Sequence, residues 1–199
     1  APLDDGDAAA GLTPMAGRMK LHYHPDSPYV RKAMVAAHET GFASALDLHT
    51  TYPETIVADV TADNPLARIP TLVLEDGTAI FDSRVICEHF DAESGVGLFP
   101  PAGEARWQAL KLDALGTAVM DAATGARNEE KRPEGEKSVT QIARRHAEIF
   151  RALDWLEAHL PEPGGDFTIG QIAVACALGY LDFRFGGDFW RPGRAGLAR

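Results

Sequence analysis

Three short motifs contain the side chains best suited to chemistry: Ser27-Pro28-Tyr29, Arg68-Ile69-Pro70 and Asp82-Ser83. Serine followed by proline is typical of a helix start, with serine as the N-cap and proline as the first helical residue. A hydroxyl at that position can also donate a hydrogen bond to an anion, which the positive end of the helix dipole attracts. The residues alone favour the simpler role of Ser27 as a cap.

Other kinds of site find less support in the sequence. His22 and His24 lie two residues apart on a predicted strand, so both imidazoles face one side and could hold a metal ion. No third ligand is suitably spaced, and we expect no metal site. The sequence also lacks the glycine-rich dinucleotide motif, the Walker lysine loop and the G-x-S-x-G elbow. We therefore expect neither a nucleotide cofactor nor serine-hydrolase chemistry.

The elements that would carry these motifs alternate between strand and helix up to Gly95. A helix should begin at Pro28, and a second should follow the two caps offered by Asp82-Ser83. The turn Asp76-Gly77 between two apolar runs predicts a hairpin. The predicted order is β-α-β followed by β-β-α, with strands over residues 20–24, 46–50, 71–75 and 78–81.

Beyond Gly95 the chain changes character. Glycine and proline crowd together over 95–103, which is typical of chain between packed units, so we place a linker at 96–103. Apolar residues then recur every three or four positions, which predicts helices, with a solvated bend over 128–137 and a capping box at Thr168 and Gln171. The predicted division is a tail over 1–18, an α/β domain over 19–95 and an all-helical domain over 104–199.

The composition limits the expected partners. The 199 residues include 19 Lys and Arg against 29 Asp and Glu, a formal net charge of −10 without a basic stripe, so nucleic acid is not an expected partner. No apolar run approaches the roughly 18 residues that cross a bilayer. The two cysteines, Cys87 and Cys176, lie in separate apolar segments, so we expect no disulfide and a cytoplasmic location.

Taken together, the motifs resemble the glutathione transferase superfamily, whose fold joins an α/β thioredoxin-like N-terminal domain to an all-α C-terminal domain. Ser27-Pro28 with Arg31-Lys32 is similar to the start of the first helix in bacterial members. This element occupies the place of the C-P-Y-C motif of glutaredoxins, but without either cysteine. The resemblance covers about residues 19–183 and also rests on Asn64-Pro65, Arg68-Ile69-Pro70-Thr71-Leu72, Asp76-Gly77 and Phe81-Asp82-Ser83.

The resemblance implies that glutathione is a co-substrate and that the protein acts on the thiol of this ligand, since a serine hydroxyl cannot form a mixed disulfide. Ser27 would stabilise the thiolate. Ile69, before a cis Pro70, would offer its backbone N–H and C=O to the cysteinyl unit. Tyr29 is the candidate for the second-substrate pocket.

The resemblance also assigns the two ends of the tripeptide. Asp82 would pair with the ammonium of the γ-glutamyl unit, and the Ser83 hydroxyl with the helix N-terminal amides would bind its carboxylate. As an isolated pair, these residues would be ordinary helix caps. Arg68 could reach the glycine carboxylate, and a solvated surface position fits it equally well.

The implied function is a homodimeric glutathione transferase that conjugates glutathione to a small apolar electrophile in detoxification. Two alternatives use the same fold: a non-catalytic binding or regulatory module, and a glutathione-dependent peroxidase or reductase. The chain departs from the family in two places. The uncharged Gln171 stands where members usually have an aspartate, and the chain ends at Arg199, where members commonly continue with one more helix, so the last family helix is expected to be missing.

Overall fold

The computed structural model describes residues 17–159 and 167–199, so all but the last two residues of the predicted tail lie outside the described part of the chain. The N-terminal part contains four strands, β1 Met19–Tyr23, β2 Leu46–Thr50, β3 Thr71–Val73 and β4 Ala79–Ile80. They form one sheet in the order β2-β1-β3-β4, in which β1 and β2 are parallel and the other two pairings are antiparallel. The predicted hairpin is confirmed with shorter strands.

Three helices belong to this part, α1 Pro28–Glu39, α2 Ile56–Val60 and α3 Ser83–Ser94. Helices α1 and α3 begin where their caps predict, and a left-handed glycine ends α3, since Gly95 has a φ of 69°. The two helices pack side by side against one face of the sheet. This arrangement confirms the predicted thioredoxin-like domain, whose core includes Leu21, Ala33, Ala37, Leu72, Ile86 and Phe90.

The C-terminal part contains three long helices, α4 Glu104–Glu130, α5 Val139–Ala158 and α6 Ile169–Phe185. Helix α6 packs against both α4 and α1, and its predicted capping box is present. The predicted bend over 128–137 is wrong at its start, because α4 continues to Glu130, whose carboxylate pairs with Arg127 at 3.8 Å. Within the described ranges, no helix is both long and apolar enough to cross a bilayer.

The buried carboxylate of Asp91 organises the linker that follows α3. It accepts hydrogen bonds from the backbone N–H groups of Gly97, Leu98 and Phe99 at 2.8, 2.6 and 2.9 Å. The Leu98 carbonyl in turn accepts a hydrogen bond from the backbone N–H of Ile169, at the start of α6, at 2.9 Å. The chain between the α/β part and the helical part therefore has a defined path.

A buried ion cluster joins the two parts. The Lys32 ammonium on α1 and the Asp113 carboxylate on α4 are 2.9 Å apart, and both side chains are almost completely buried. The second oxygen of Asp113 accepts a hydrogen bond from Arg84 Nε on α3 at 2.8 Å. One carboxylate of the helical part thus holds the two helices that begin at the predicted site.

The contact between α4 and α6 predicts opposite effects for two glycine-to-alanine changes. A Cβ at Gly116 would lie 2.6 Å from the backbone carbon of Ala173, whereas a Cβ at Gly179 on α6 would meet no atom within 4 Å. We expect Gly116→Ala to lower the free energy of unfolding by about 1–3 kcal/mol through overpacking. Gly179→Ala should raise it by about 0.5–1 kcal/mol through helix propensity. Urea denaturation checks both values, and equal effects of the two changes would contradict the close helix contact.

The ion cluster predicts that loss of the Asp113 carboxylate alone lowers the free energy of unfolding more than loss of both Asp113 and Lys32. Asp113→Asn leaves the Lys32 ammonium buried without a counter-charge, so we expect the free energy of unfolding to fall by about 3–5 kcal/mol. The double variant Lys32→Met with Asp113→Asn removes that buried charge as well. Denaturation of the single and double variants gives the coupling energy. A double variant less stable than Asp113→Asn would show that the Lys32 charge is not the source of the penalty.

Candidate functional site

The sheet register brings the three predicted motifs to one edge. The end of β1 is adjacent to the start of β3, since His22 pairs with Thr71, and the end of β4 is adjacent to the same point, since Ile80 pairs with Leu72. The segments that continue from these strand ends contain Ser27, Ile69-Pro70 and Asp82-Ser83. The three motifs therefore lie around one place, above the N-terminal ends of α1 and α3.

Ser27 is the N-cap of α1. Its Oγ accepts a hydrogen bond from the backbone N–H of Val30 at 3.3 Å, and its own N–H donates to the His24 carbonyl at 3.1 Å. The cap interpretation is thus confirmed. Because the hydroxyl acts as an acceptor towards the helix, its hydrogen can still be donated to an anion at the helix N-terminus. The geometry accommodates the cap and the anion-binding role in one side chain.

Asn64 shapes the loop that contains Ile69. Its buried amide donates hydrogen bonds to the Arg68 carbonyl at 3.2 Å and to Thr71 Oγ1 at 2.9 Å. The Ile69-Pro70 bond is cis, as the resemblance implies. The ladder between β1 and β3 begins at Thr71, so the backbone of Ile69 lies just beyond it. The Arg68 side chain is exposed at the surface of this loop.

Asp82 and Ser83 mark the start of α3. Asp82 is the N-cap and accepts a hydrogen bond from the backbone N–H of Arg84 through one carboxylate oxygen at 2.9 Å. Its side chain is exposed, whereas Ser83 is buried. The cap fixes the carboxylate beside the helix N-terminus, where an ammonium could pair with it. The first turn of α3 points its backbone N–H groups at the same place.

The ion cluster lies close to both helix starts. Two cations, Lys32 and Arg84, share the single carboxylate of Asp113, and both follow within two turns of the α1 and α3 starts. The cluster therefore carries a residual positive charge, which the Asp82 carboxylate at the start of α3 and the Asp26 carboxylate before α1 partly offset. In the sequence, Lys32 belongs to the Ser27-Pro28 and Arg31-Lys32 motif, whereas nothing indicates Asp113, because no local pattern connects residues 81 positions apart.

Tyr29, the candidate for the second-substrate pocket, lies between the two parts of the chain. Its hydroxyl donates a hydrogen bond to Asp121 on α4 at 2.5 Å. Burial, followed by this hydrogen bond, raises the pKa of Tyr29 above its usual range, so the phenol stays protonated. Thr124 donates to the Tyr180 hydroxyl at 3.5 Å in the same region. Polar groups of Asp121, Thr124 and Tyr180 therefore lie in the region of Tyr29, whereas the resemblance implies a small apolar electrophile.

Arg184, near the end of α6, is a further residue that no sequence motif indicates. Its Nη2 donates a hydrogen bond to Asp26, the residue before Ser27, at 3.2 Å. The two residues are 158 positions apart, so only the folded chain reveals the contact. The helical part thereby reaches the loop that leads to Ser27.

Neither cysteine is suited to act at this site. Cys87 and Cys176 are both buried and free. Burial raises the pKa of the Cys87 thiol to about 12 and that of the Cys176 thiol to about 11, so both remain protonated near neutral pH. Chemistry on sulfur at this site therefore requires a thiol from a ligand.

His22 has a structural partner. It is buried on the sheet, and its Nε2 lies 2.7 Å from Asp63 Oδ2, which also accepts from Lys20 at 2.7 Å. The Lys20 bond and then the His22 bond hold the pKa of Asp63 below its usual range. Among the residues that the structure describes, no group of three or more His, Cys, Asp or Glu side chains is arranged to bind a metal ion.

Two models of known protein families match this chain. A model of the glutathione S-transferase N-terminal domain matches residues 26–93, and a model of the C-terminal domain of the same family matches residues 140–199. The matches include the segments that carry Ser27, Ile69-Pro70 and Asp82-Ser83.

Individual proteins of this type are similar along almost the whole chain. The uncharacterized GST-like protein YibF of Escherichia coli (strain K12) is 31% identical over 185 residues, which are 91% of both chains. A glutathione transferase family member from Pseudomonas fluorescens Pf-5 with bound glutathione is 41% identical with a TM-score of 0.85, and 90% of each chain is covered. Its structure with S-(propanoic acid)-glutathione, 39% identical, has a TM-score of 0.81 at the same coverage. On these matches and this fold, the chain belongs to the glutathione S-transferase family.

Proposed function

We propose that this protein is a glutathione transferase in which Ser27 stabilises the glutathione thiolate for attack on an electrophile. Family membership and the relatives that bind glutathione support a glutathione-binding function of this type. The observation that carries the catalytic proposal is the convergence of Ser27, Ile69 and Asp82-Ser83 at one sheet edge, with the Ser27 hydroxyl oriented by its bond from Val30.

One hydroxyl can supply enough stabilisation for the glutathione thiolate. The thiol of glutathione belongs to a cysteinyl unit, and a free cysteine thiol has a pKa of about 8.5, so only about 3% is thiolate at neutral pH. Lowering that pKa by about 2 units requires about 2.7 kcal/mol of preferential stabilisation of the anion. A hydrogen bond to a charged group contributes about 1.5–3 kcal/mol, and the helix dipole adds about 0.3–1 kcal/mol. Ser27 at the start of α1 combines both contributions.

The tripeptide would be bound by the groups around Ser27. The backbone of Ile69, beyond the end of the β1-β3 ladder, pairs with the cysteinyl unit in the manner of an added strand. The Asp82 carboxylate pairs with the γ-glutamyl ammonium, and the first turn of α3 with Ser83 receives the adjacent carboxylate. Arg68 on this loop is exposed and would pair with the glycine carboxylate, although its exposure fits a solvated surface arginine equally well.

A bound relative supports conjugation over the two alternatives. The protein from Pseudomonas fluorescens binds a glutathione that carries a substituent on its sulfur, as a conjugation product does. A binding module would hold glutathione without turnover. A peroxidase or reductase would oxidise bound thiols instead of alkylating them, and it would consume hydroperoxide or disulfide.

We also propose that the protein acts as a homodimer in the cytoplasm, in the detoxification of electrophiles. The Arg106-Glu88 ion pair at 2.7 Å joins α4 to α3. Trp107 on α4 and Val85 on α3 are 66% and 51% exposed, so each offers apolar surface to a second copy of the chain.

Replacement of Ser27 tests the catalytic role, and Ser138 provides a matched control. Ser138 caps α5 with an Oγ that accepts from Gln141 N–H at 3.3 Å, the same distance as in the Ser27 cap. Both serine-to-alanine variants should lose about 1 kcal/mol of stability. Only Ser27→Ala should lower kcat/KM with 1-chloro-2,4-dinitrobenzene, by about 10- to 100-fold, and raise the pKa of bound glutathione by about 1–2 units.

Thiolate absorbance against pH and steady-state rates measure these effects. Equal kcat/KM values for wild type and Ser27→Ala would remove Ser27 from the mechanism. Turnover of hydroperoxide without conjugation would favour the peroxidase alternative instead.

Replacement of Asp82 tests the glutathione site independently of catalysis. Asp82→Asn keeps a good cap and removes the charge, so we expect about tenfold weaker glutathione binding by calorimetry. Asp76 is the matched control, because it accepts from Thr78 N–H at 2.8 Å in the exposed hairpin turn, away from the site. Asp76→Asn should bind glutathione like wild type. Absence of glutathione binding by the wild type would contradict the proposal and favour a scaffold.

A further inference from the structure

Arg184 contacts the residue that precedes Ser27. Its guanidinium reaches from α6 to Asp26, and Asp26 directly precedes Ser27, beside which the proposed function puts the thiolate. Arg184 is the only Lys or Arg residue on α6. It is therefore the cation that this helix offers to an electrophile that approaches the Asp26-Ser27 loop from the helical part.

The guanidinium has binding capacity beyond its bond to Asp26. It lies over the rings of Phe183 and Tyr180, 4.3 and 5.3 Å from their centroids, and its side chain is 18% exposed. Its Nε is buried and has no hydrogen-bond partner among the described residues. A guanidinium carries five N–H donors in a fork that matches a carboxylate, and packing on aromatic rings orients that fork.

The bond to Asp26 does not fill this capacity. Asp26 is 45% exposed and contacts Arg184 through one oxygen. An ion pair with such an exposed carboxylate contributes little free energy, because solvent competes for both charges. A ligand carboxylate whose aromatic or alkyl group packs against Phe183 could replace the Asp26 carboxylate with better hydrogen-bond geometry.

We propose that Arg184 binds a carboxylate of the second substrate in exchange for Asp26, so the electrophile is an organic acid rather than a neutral apolar molecule. This inference rests on the proposed transferase function and names its substrate class. With a chloronitrobenzoate, the thiolate electron pair forms the carbon–sulfur bond at the carbon that carries chlorine. The carbon–chlorine bond then breaks and chloride leaves with its electron pair, so no oxidant or reductant is needed.

The test compares 4-chloro-3-nitrobenzoate with its neutral counterpart 4-chloro-3-nitrobenzamide. Arg184→Gln should raise the benzoate-to-benzamide ratio of KM by about 10- to 100-fold, which is the loss expected for a charged hydrogen bond. Arg184→Lys should give a smaller rise, since the charge remains and the fork is lost. Asp26→Asn should lower the ratio several-fold, because it removes the competing carboxylate.

Arg194 is the matched control. Its guanidinium also lies over an aromatic ring, 5.5 Å from the Phe150 centroid, and it also pairs with a carboxylate, that of Asp154 on α5. Arg194 therefore pairs with α5, which packs on α4, and not with the loop that leads to Ser27. Arg194→Gln should leave the KM ratio unchanged. A ratio that changes as much in Arg194→Gln as in Arg184→Gln would overturn the inference, as would equal losses for both substrates in Arg184→Gln.

A binding measurement separates this inference from the proposed function. Calorimetry with the two glutathione conjugates, one with a carboxylate and one with an amide, needs no turnover. Wild type should prefer the carboxylate conjugate, and Asp26→Asn should strengthen that preference even if Arg184→Gln does not fold. A wild type that turns over neither substrate would contradict the transferase function, whereas equal binding of both conjugates would overturn the role of Arg184.

Discussion

The buried carboxylate of Asp113 is the constraint on which the site depends. Removing Lys32 and Asp113 from water is costly, and only close pairing with additional hydrogen bonds offsets that cost. The same carboxylate pairs with Arg84, so a single group on α4 contacts both α1 and α3. Since the proposed glutathione site lies at the N-termini of these helices, its alignment depends on the interface between the two parts of the chain.

In the proposed function, backbone groups and side chains would share the binding of glutathione. Helix N-termini and the loop shaped by Asn64 supply backbone donors and acceptors, which do not depend on side-chain identity. Ser27 and Asp82 add a hydroxyl and a charge at defined points, and each is held by its own cap. The side that faces the helical part is different, because Tyr29 and Arg184 each have an acidic partner there.

The sequence predicts the elements that local chemistry specifies. Ser27-Pro28, the turn Asp76-Gly77 and the capping box at Thr168 act over two to four residues, and the structure has each of them. The strands of the hairpin are shorter than their apolar pattern predicts, and α4 is longer than its charged end suggests. Propensity does not determine such ends, because ladder pairing and ion pairs such as Arg127-Glu130 do.

Contacts between distant segments cannot be predicted from local sequence patterns. Lys32 and Arg184 meet their carboxylate partners across 81 and 158 positions, and each is unremarkable in its own neighbourhood of the sequence. The family resemblance indicates the motifs that we propose to bind glutathione, because their spacing is similar to that in the family. It gives no information on Asp113 or Arg184.

The linker beyond α3 has a mechanical consequence. Asp91 binds three successive amides of that segment, and the Leu98 carbonyl holds the first residue of α6. A hinge at this point would need backbone torsions that are free to change. The hydrogen bonds to Asp91 and from Ile169 restrict these torsions. The α/β part and the helical part should therefore unfold together in denaturant, as one cooperative unit, and should not separate by rotation about the linker.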